Sequence, residues 1–185
     1  MKLKFIFFIS IIYLSISLNS LASENWILDK KLSTISFKLP VLLIDNIIGS
    51  FSEIEGLIKI DANKNLNKAI FSVNIDSIDI NYDKYKSLVL SPIFFNSNKF
   101  PIAIIDTKIF SYNNEDKLEI DAELTIKGIT HNVPLQLEIL YLTEELIQIK
   151  GKLKILRNSY KIGEGKWQST AILRNKTLIE VNFFL

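Results

Sequence analysis

The chain has 185 residues, 48% of them hydrophobic, with no cysteine, one histidine, and 22 Lys and Arg against 20 Asp and Glu. That inventory excludes a Cys–His nucleophile pair and a multi-histidine metal site. It also removes the electrostatic basis for nucleic-acid binding: two of the 22 basic residues, Lys2 and Lys4, sit in an N-terminal leader without acidic residues, so the remainder is formally neutral.

The leader is the first predicted element. Lys2 and Lys4 precede an uncharged apolar run from Phe5 to Leu18, and Ser20-Leu21-Ala22 places small residues at both cleavage positions, the pattern of an export signal over residues 1–22, cleaved after Ala22. As a membrane span the run is short and is interrupted by Asn19 and Ser20, and no cysteine follows to carry a lipid anchor. Residues 23–185 are therefore expected to form one periplasmic or secreted domain around a single core.

Two-residue alternation then dominates, putting apolar side chains on one strand face and polar ones on the other. In chain order the apolar sets are Ile35, Phe37 and Leu39; a strand over 56–62; and Ala69, Phe71, Val73 and Ile75. From Tyr82 to Leu90 the alternation is lost, and Pro92 and Asn96-Ser97-Asn98 follow, so a short helix forming a lid near 82–96 across one barrel end is predicted. Its adjacent Phe94 and Phe95 are expected to face different ways, one capping the barrel and the other meeting a ligand. A strand over 100–112 precedes the cleanest case, Leu118, Ile120, Ala122, Leu124 and Ile126 against Glu119, Asp121, Glu123, Thr125 and Lys127. Val133 to Tyr141, Ile147 to Ile155 and Ile179 to Phe183 complete a β-meander, with turns at 61–65, 113–116 and 143–145. The fold class is all-β, with about eight strands that either close into an antiparallel up-and-down barrel, removing their edges, or stack as a filled sandwich; periodicity does not choose between them.

Particular strings decide the expectation: Trp26-Ile27-Leu28-Asp29, Ser33-Thr34-Ile35-Ser36-Phe37, Gly49-Ser50-Phe51, Glu55-Gly56-Leu57-Ile58, Ser91-Pro92-Ile93-Phe94-Phe95-Asn96, Phe100-Pro101, Leu124-Thr125-Ile126-Lys127-Gly128-Ile129-Thr130 and the stretch Arg157 to Trp167. In this order they resemble the YceI-like family. The resemblance implies an eight-stranded lipocalin-like barrel in an exported bacterial protein, with a polyisoprenoid chain of the isoprenoid quinone or polyprenyl phosphate type in the pore. Two departures stand out. Lys86-Ser87-Leu88-Val89-Leu90 replaces a more polar family pattern of Arg-Asp and His-Leu, and Lys161 stands where the family usually has glycine, which puts the local turn in question.

The inward residues Phe37, Phe71, Val73, Phe94, Phe95, Leu124, Ile126, Leu137, Ile155, Arg157, Trp167 and Val181 read as packed core from the sequence alone and as a ligand-lined pore from the resemblance. Trp167 is expected to plug the barrel floor. Arg157, in phase with Leu153 and Ile155, is expected inside with a partner carboxylate, an anionic ligand head being the alternative. His131 reads as a solvated turn residue, and Glu119, Asp121 and Glu123 as a solvated strand face. The expectation is a non-catalytic lipid carrier without metal or cofactor, making transient membrane contact for lipid exchange, its oligomeric state open and a dimer included. A stress-response or protein-interaction module with a filled barrel is the competing account, and an enzyme of unrecognised chemistry the third.

Overall fold

The computed structural model describes residues 24–42, 45–60, 66–111, 117–143 and 146–185. The expected leader, the turns at 61–65 and 113–116, and Glu144 and Glu145 lie outside the described residues. Twelve strands form one antiparallel sheet: β1 Glu24–Ile27, β2 Thr34–Leu39, β3 Ile47–Phe51, β4 Ile54–Ile60, β5 Leu66–Asn74, β6 Ile78–Ile80, β7 Ile102–Asp106, β8 Phe110–Ser111, β9 Lys117–Ile126, β10 Ile129–Tyr141, β11 Ile147–Leu156 and β12 Lys176–Phe184.

The count exceeds the expected eight because four staves are broken. β3 and β4 pair with β6 and β5 as one kinked ribbon, with Phe51 opposite Ile78 and Ile54 opposite Val73. Between those pairs the β5–β6 side carries two extra residues, wound into a 3-10 turn over Ile75–Ser77. The kink satisfies its own freed polar groups: the Asn74 side chain accepts from Asp76 N at 3.1 Å, and Ser77 Oγ donates to Asn74 O at 2.7 Å and accepts from Glu53 N at 3.1 Å. The alternation Phe71, Val73, Ile75 is thereby reset by one residue, so that Ile78 and Ile80 stay buried. β7 and β8 continue one stave along β5 past a second break at Thr107 and Lys108, and β1 and β2 are separated by the turn that follows Leu28. Twelve strands with four breaks make eight staves.

Every stave pairs with its sequence neighbours, and the last closes on the first: β12 pairs with β2 from Leu178 opposite Lys38 to Asn182 opposite Thr34. The fold is thus an up-and-down antiparallel barrel, and the sandwich reading falls away. Two local sequence choices fit this closure. Lys127 and Gly128, both at positive φ (53° and 72°), form the two-residue β9–β10 hairpin, the backbone that matches strand twist. Pro134, which lacks an N–H, sits in β10 beyond the end of the β11 ladder, which begins at Gln136.

The helix expected in the 82–96 segment is the single short one over Lys86–Leu90, preceded by a 3-10 turn at Asp83–Tyr85 and followed by turns rather than an extended strand. It carries the buried Val89 against Ile78 and Ile80 of β6, which fixes it at one end of the barrel.

Candidate functional site

Inward residues of the staves enclose a cavity of about 260 Å³. All twelve residues expected on a pore wall, Phe37, Phe71, Val73, Phe94, Phe95, Leu124, Ile126, Leu137, Ile155, Arg157, Trp167 and Val181, line it. An engineered apolar cavity of about 150 Å³ already takes up benzene, so this interior is hollow on a scale that matters for apolar ligands. The space exists because small residues oppose large ones: Gly49 faces Phe37, Gly56 faces Phe71, and Gly151 lies between Leu137 and Val181, so the large side chains lean over glycine and leave the axis free. The cavity runs from the lid toward the far end of β10, where Tyr141 lines it and is yet 59% exposed, which marks the mouth.

At the lid end Phe94 and Phe95 both line the cavity, contrary to the expectation that they diverge. They lie in consecutive turns, so the alternation of an extended chain does not apply. Phe94 meets Trp167 edge-on at 5.9 Å, and Phe95 meets Phe51 at 6.4 Å. Trp167 therefore packs with the lid itself, since Gly163 N and Glu164 N both donate to Ile93 O and bind the two loops together. Lys127 fastens this junction. Its ammonium, on a side chain 7% exposed, donates to Pro92 O (2.9 Å) and Lys161 O (2.8 Å) and pairs with Glu164 (3.0 Å).

Arg157 is inside, as its phase requires, but without a carboxylate partner among the described residues. Nε donates to Arg174 O; Nη1 to Ile162 O (2.8 Å) and Gly163 O; Nη2 to Leu173 O (2.7 Å), Gln168 O and Ser169 O. Loop 162–174 thus wraps its carbonyls round the guanidinium, whose pKa burial lowers from its ordinary value. The fork geometry suits this cage, and it leaves no donor for a ligand head. Tyr160, 1% exposed, has a phenol pushed up to about 12 by burial. His131 is a strand residue of β10, not a turn residue; its ring stands edge-on to Tyr160 at 5.0 Å and Nε2 lies 3.2 Å from Ser159 O.

Residues 26–184, nearly the whole described chain, match the family model of the YceI-like domain. The chain belongs to the YceI-like family. It is 27% identical over 107 residues to the protein YceI of Salmonella newport (strain SL254), a match covering 57% of this chain and 56% of that one, and 25% identical over 130 residues to YceI of Shigella flexneri, covering 69% and 68%. The fold is shared with BcnA of Burkholderia cenocepacia (TM-score 0.78, 21% identity, 85% of this chain and 99% of that one). It is shared also with a polyisoprenoid-binding domain from Saccharophagus degradans implicated in plant cell wall breakdown (TM-score 0.69, 14% identity, 89% and 97%).

Against the YceI-like pattern, Lys161 keeps the backbone a glycine would supply: its φ and ψ are 54° and 36°, left-handed. The turn therefore survives the substitution. The replaced segment Lys86–Leu90 forms the lid helix, with Leu88 and Val89 on the cavity wall where more polar residues were the family expectation. Sequence reasoning missed Trp26, Tyr85 and Phe110 on the wall, each in an element too short for alternation to be read.

Proposed function

We propose that the protein carries an isoprenoid lipid in its barrel, in the periplasm after export, and catalyses no reaction. The observation that supports this best is an apolar cavity of about 260 Å³ whose wall has, among the described residues, one charged side chain, Arg157, already committed to backbone carbonyls. At ~0.8 kcal/mol per buried methylene, a few isoprene units in such a cavity contribute on the order of 10 kcal/mol before ordering costs. The likeness in fold to a polyisoprenoid-binding domain agrees with the reading. Exchange takes place against a membrane surface at the mouth, where Leu142 and Ile109, exposed beside the lining residues Tyr141 and Phe110, give an apolar rim.

Organic extraction of natively purified protein followed by mass spectrometry tests the reading. A stoichiometric isoprenoid, in protein whose mature N-terminus is Ser23, is the expected result; repeated absence of any lipid leaves a protein-interaction module as the better account.

A further inference from the structure

We infer that lipid passes into and out of the barrel sideways, through the seam between β7–β8 and β9, which unzips from the pair Asp106 and Glu123 toward the lid, and that it does not thread end-on through the mouth. The inference rests on the proposed lipid carriage and adds to it the route of exchange.

This seam is the shortest in the barrel. β7 and β9 are joined by three residue pairs, Ile104 opposite Thr125, Ile105 opposite Leu124 and Asp106 opposite Glu123. Among the described residues no other two neighbouring staves share fewer than five, the number between β12 and β2. Past Asp106 the stave leaves β9 and keeps to β5. Thr107 N donates to Ala69 O at 3.0 Å, and Thr107 Oγ1 accepts from Ala69 N at 2.9 Å. Lys108, at a φ of 55°, donates its N–H to Asp106 Oδ1 at 2.7 Å. Between Asp106 opposite Ile70 and Phe110 opposite Asn67, the β7–β8 side carries one residue more than β5, a bulge that bends it away from β9. β8 therefore pairs with β5 and, among the described residues, not with β9.

The two edges of this slit are apolar toward the interior and charged toward solvent. On one side Phe110 lines the cavity, and Ile109 beside it is 69% exposed. On the other, Leu118 and Ile120, inward by phase on β9, are only half-buried, where Leu124 and Ile126 are buried. A seam closed along its whole length would bury Leu118 and Ile120 as well, so an apolar path leads from outside to the cavity beside the mouth. Glu119 and Asp121 stay exposed on the open edge of β9, where charge keeps other strands from adding to it. At the head of the slit Lys108 Nζ meets Glu123 at 2.6 Å, and Lys68 Nζ meets Asp106 at 3.2 Å. Ion pairs this exposed hold little, and a three-pair ladder opens as a local unit while the ten pairs of β9 with β10 keep β9 in place. Sideways passage also keeps a departing chain against apolar side chains along its length, which limits the apolar surface shown to water.

The chain has no cysteine, so Asp106→Cys with Glu123→Cys places the protein's two thiols on opposed residues at the head of the slit. Lys152→Cys with Glu180→Cys, opposed on β11 and β12, is a control lock on another seam. Uptake and release of a fluorescent polyprenol are followed against vesicles of phosphatidylethanolamine and phosphatidylglycerol, for each protein linked and unlinked, with a bis-maleimide bridging the thiols where no disulfide forms. The 106–123 lock is expected to slow both rates roughly tenfold or more at unchanged final occupancy, and the control lock to change neither. Each protein is compared with its own unlinked form, so the lost ion pairs do not enter. Fully linked 106–123 protein that exchanges at the unlinked rate overturns this inference while carriage stands, as does equal slowing by both locks. Absence of probe from the unaltered protein at equilibrium overturns carriage and this inference together.

Discussion

Phe71 lies across Gly56 of the neighbouring strand, its ring occupying the space in which any other residue would carry a Cβ. The pair places an aromatic flat on the wall and keeps the axis open, and Phe37 repeats the arrangement over Gly49. Gly56→Ala is expected to cost about 1–3 kcal/mol, because the new methyl must push the ring off its rotamer. Combining it with Phe71→Leu should recover part of that loss in urea unfolding. Simple additivity of the two changes would mean the ring and the glycine are independent.

A bulky side chain on the wall should displace ligand before it damages the fold. Leu124, 7% exposed, lines the cavity from β9, while Asp121 on the same strand is exposed. Leu124→Trp is expected to lower lipid content severalfold and to shift stability by less than the roughly 1–3 kcal/mol that overpacking a filled core costs. Lipid content and thermal midpoint would be measured together, with Asp121→Trp as the outward control. A collapsed midpoint in protein that never held lipid would sink the carrier reading.

Arg157→Lys keeps the charge but loses the planar fork. Three ammonium donors cannot serve six carbonyl oxygens spread over residues 162–174, so a loss of about 2–4 kcal/mol is expected. Ligand preference should follow stability and nothing more. A variant as stable as the parent that had lost its lipid would instead make the guanidinium a ligand group.

Tyr160 sets a limit at high pH. Its folded pKa of about 12 stands above the ordinary 10.0, so folding favours the protonated phenol. That contribution is fully present below pH 10 and is lost as pH rises through about 12. At the alkaline end the loss amounts to about 2–3 kcal/mol. Because the phenol oxygen has no hydrogen-bond partner among the described residues, Tyr160→Phe should cost little at neutral pH and flatten the alkaline slope. Urea titrations of both proteins across that range would show parallel slopes if another group were responsible.

Alternation made the wall legible, because a closed sheet forces every second residue inward: Leu124 and Ile126 could be placed from β9 alone. The eight staves were legible for the same reason, while the breaks were not, since Asn74 and Asp76 read as two more polar alternation residues until the side chains of Asn74 and Ser77 are seen to close a 3-10 turn. Arg157 was placed inside by phase, yet its partners come from a loop distant in register whose carbonyls no pattern of side chains announces. Phe94 and Phe95 were expected to part because they are adjacent in the chain, yet in the turns after the lid helix both reach the cavity, one against Trp167 and the other against Phe51. His131 was misplaced because the two-residue hairpin starts β10 at Ile129, four positions before Val133, where the alternation first shows.

The pairing of β12 with β2 has a bearing on how the chain assembles. Each other stave can zip onto the one made just before it, but the seam joins residues 34–38 to residues 178–182. Its loop entropy is overcome last, and until then β2 and β11 present bare edges to any passing strand. A chain emerging from its N-terminus must hold those edges open until the final stave arrives, which makes the interval before closure, more than the finished barrel, the stage at which a chaperone would matter.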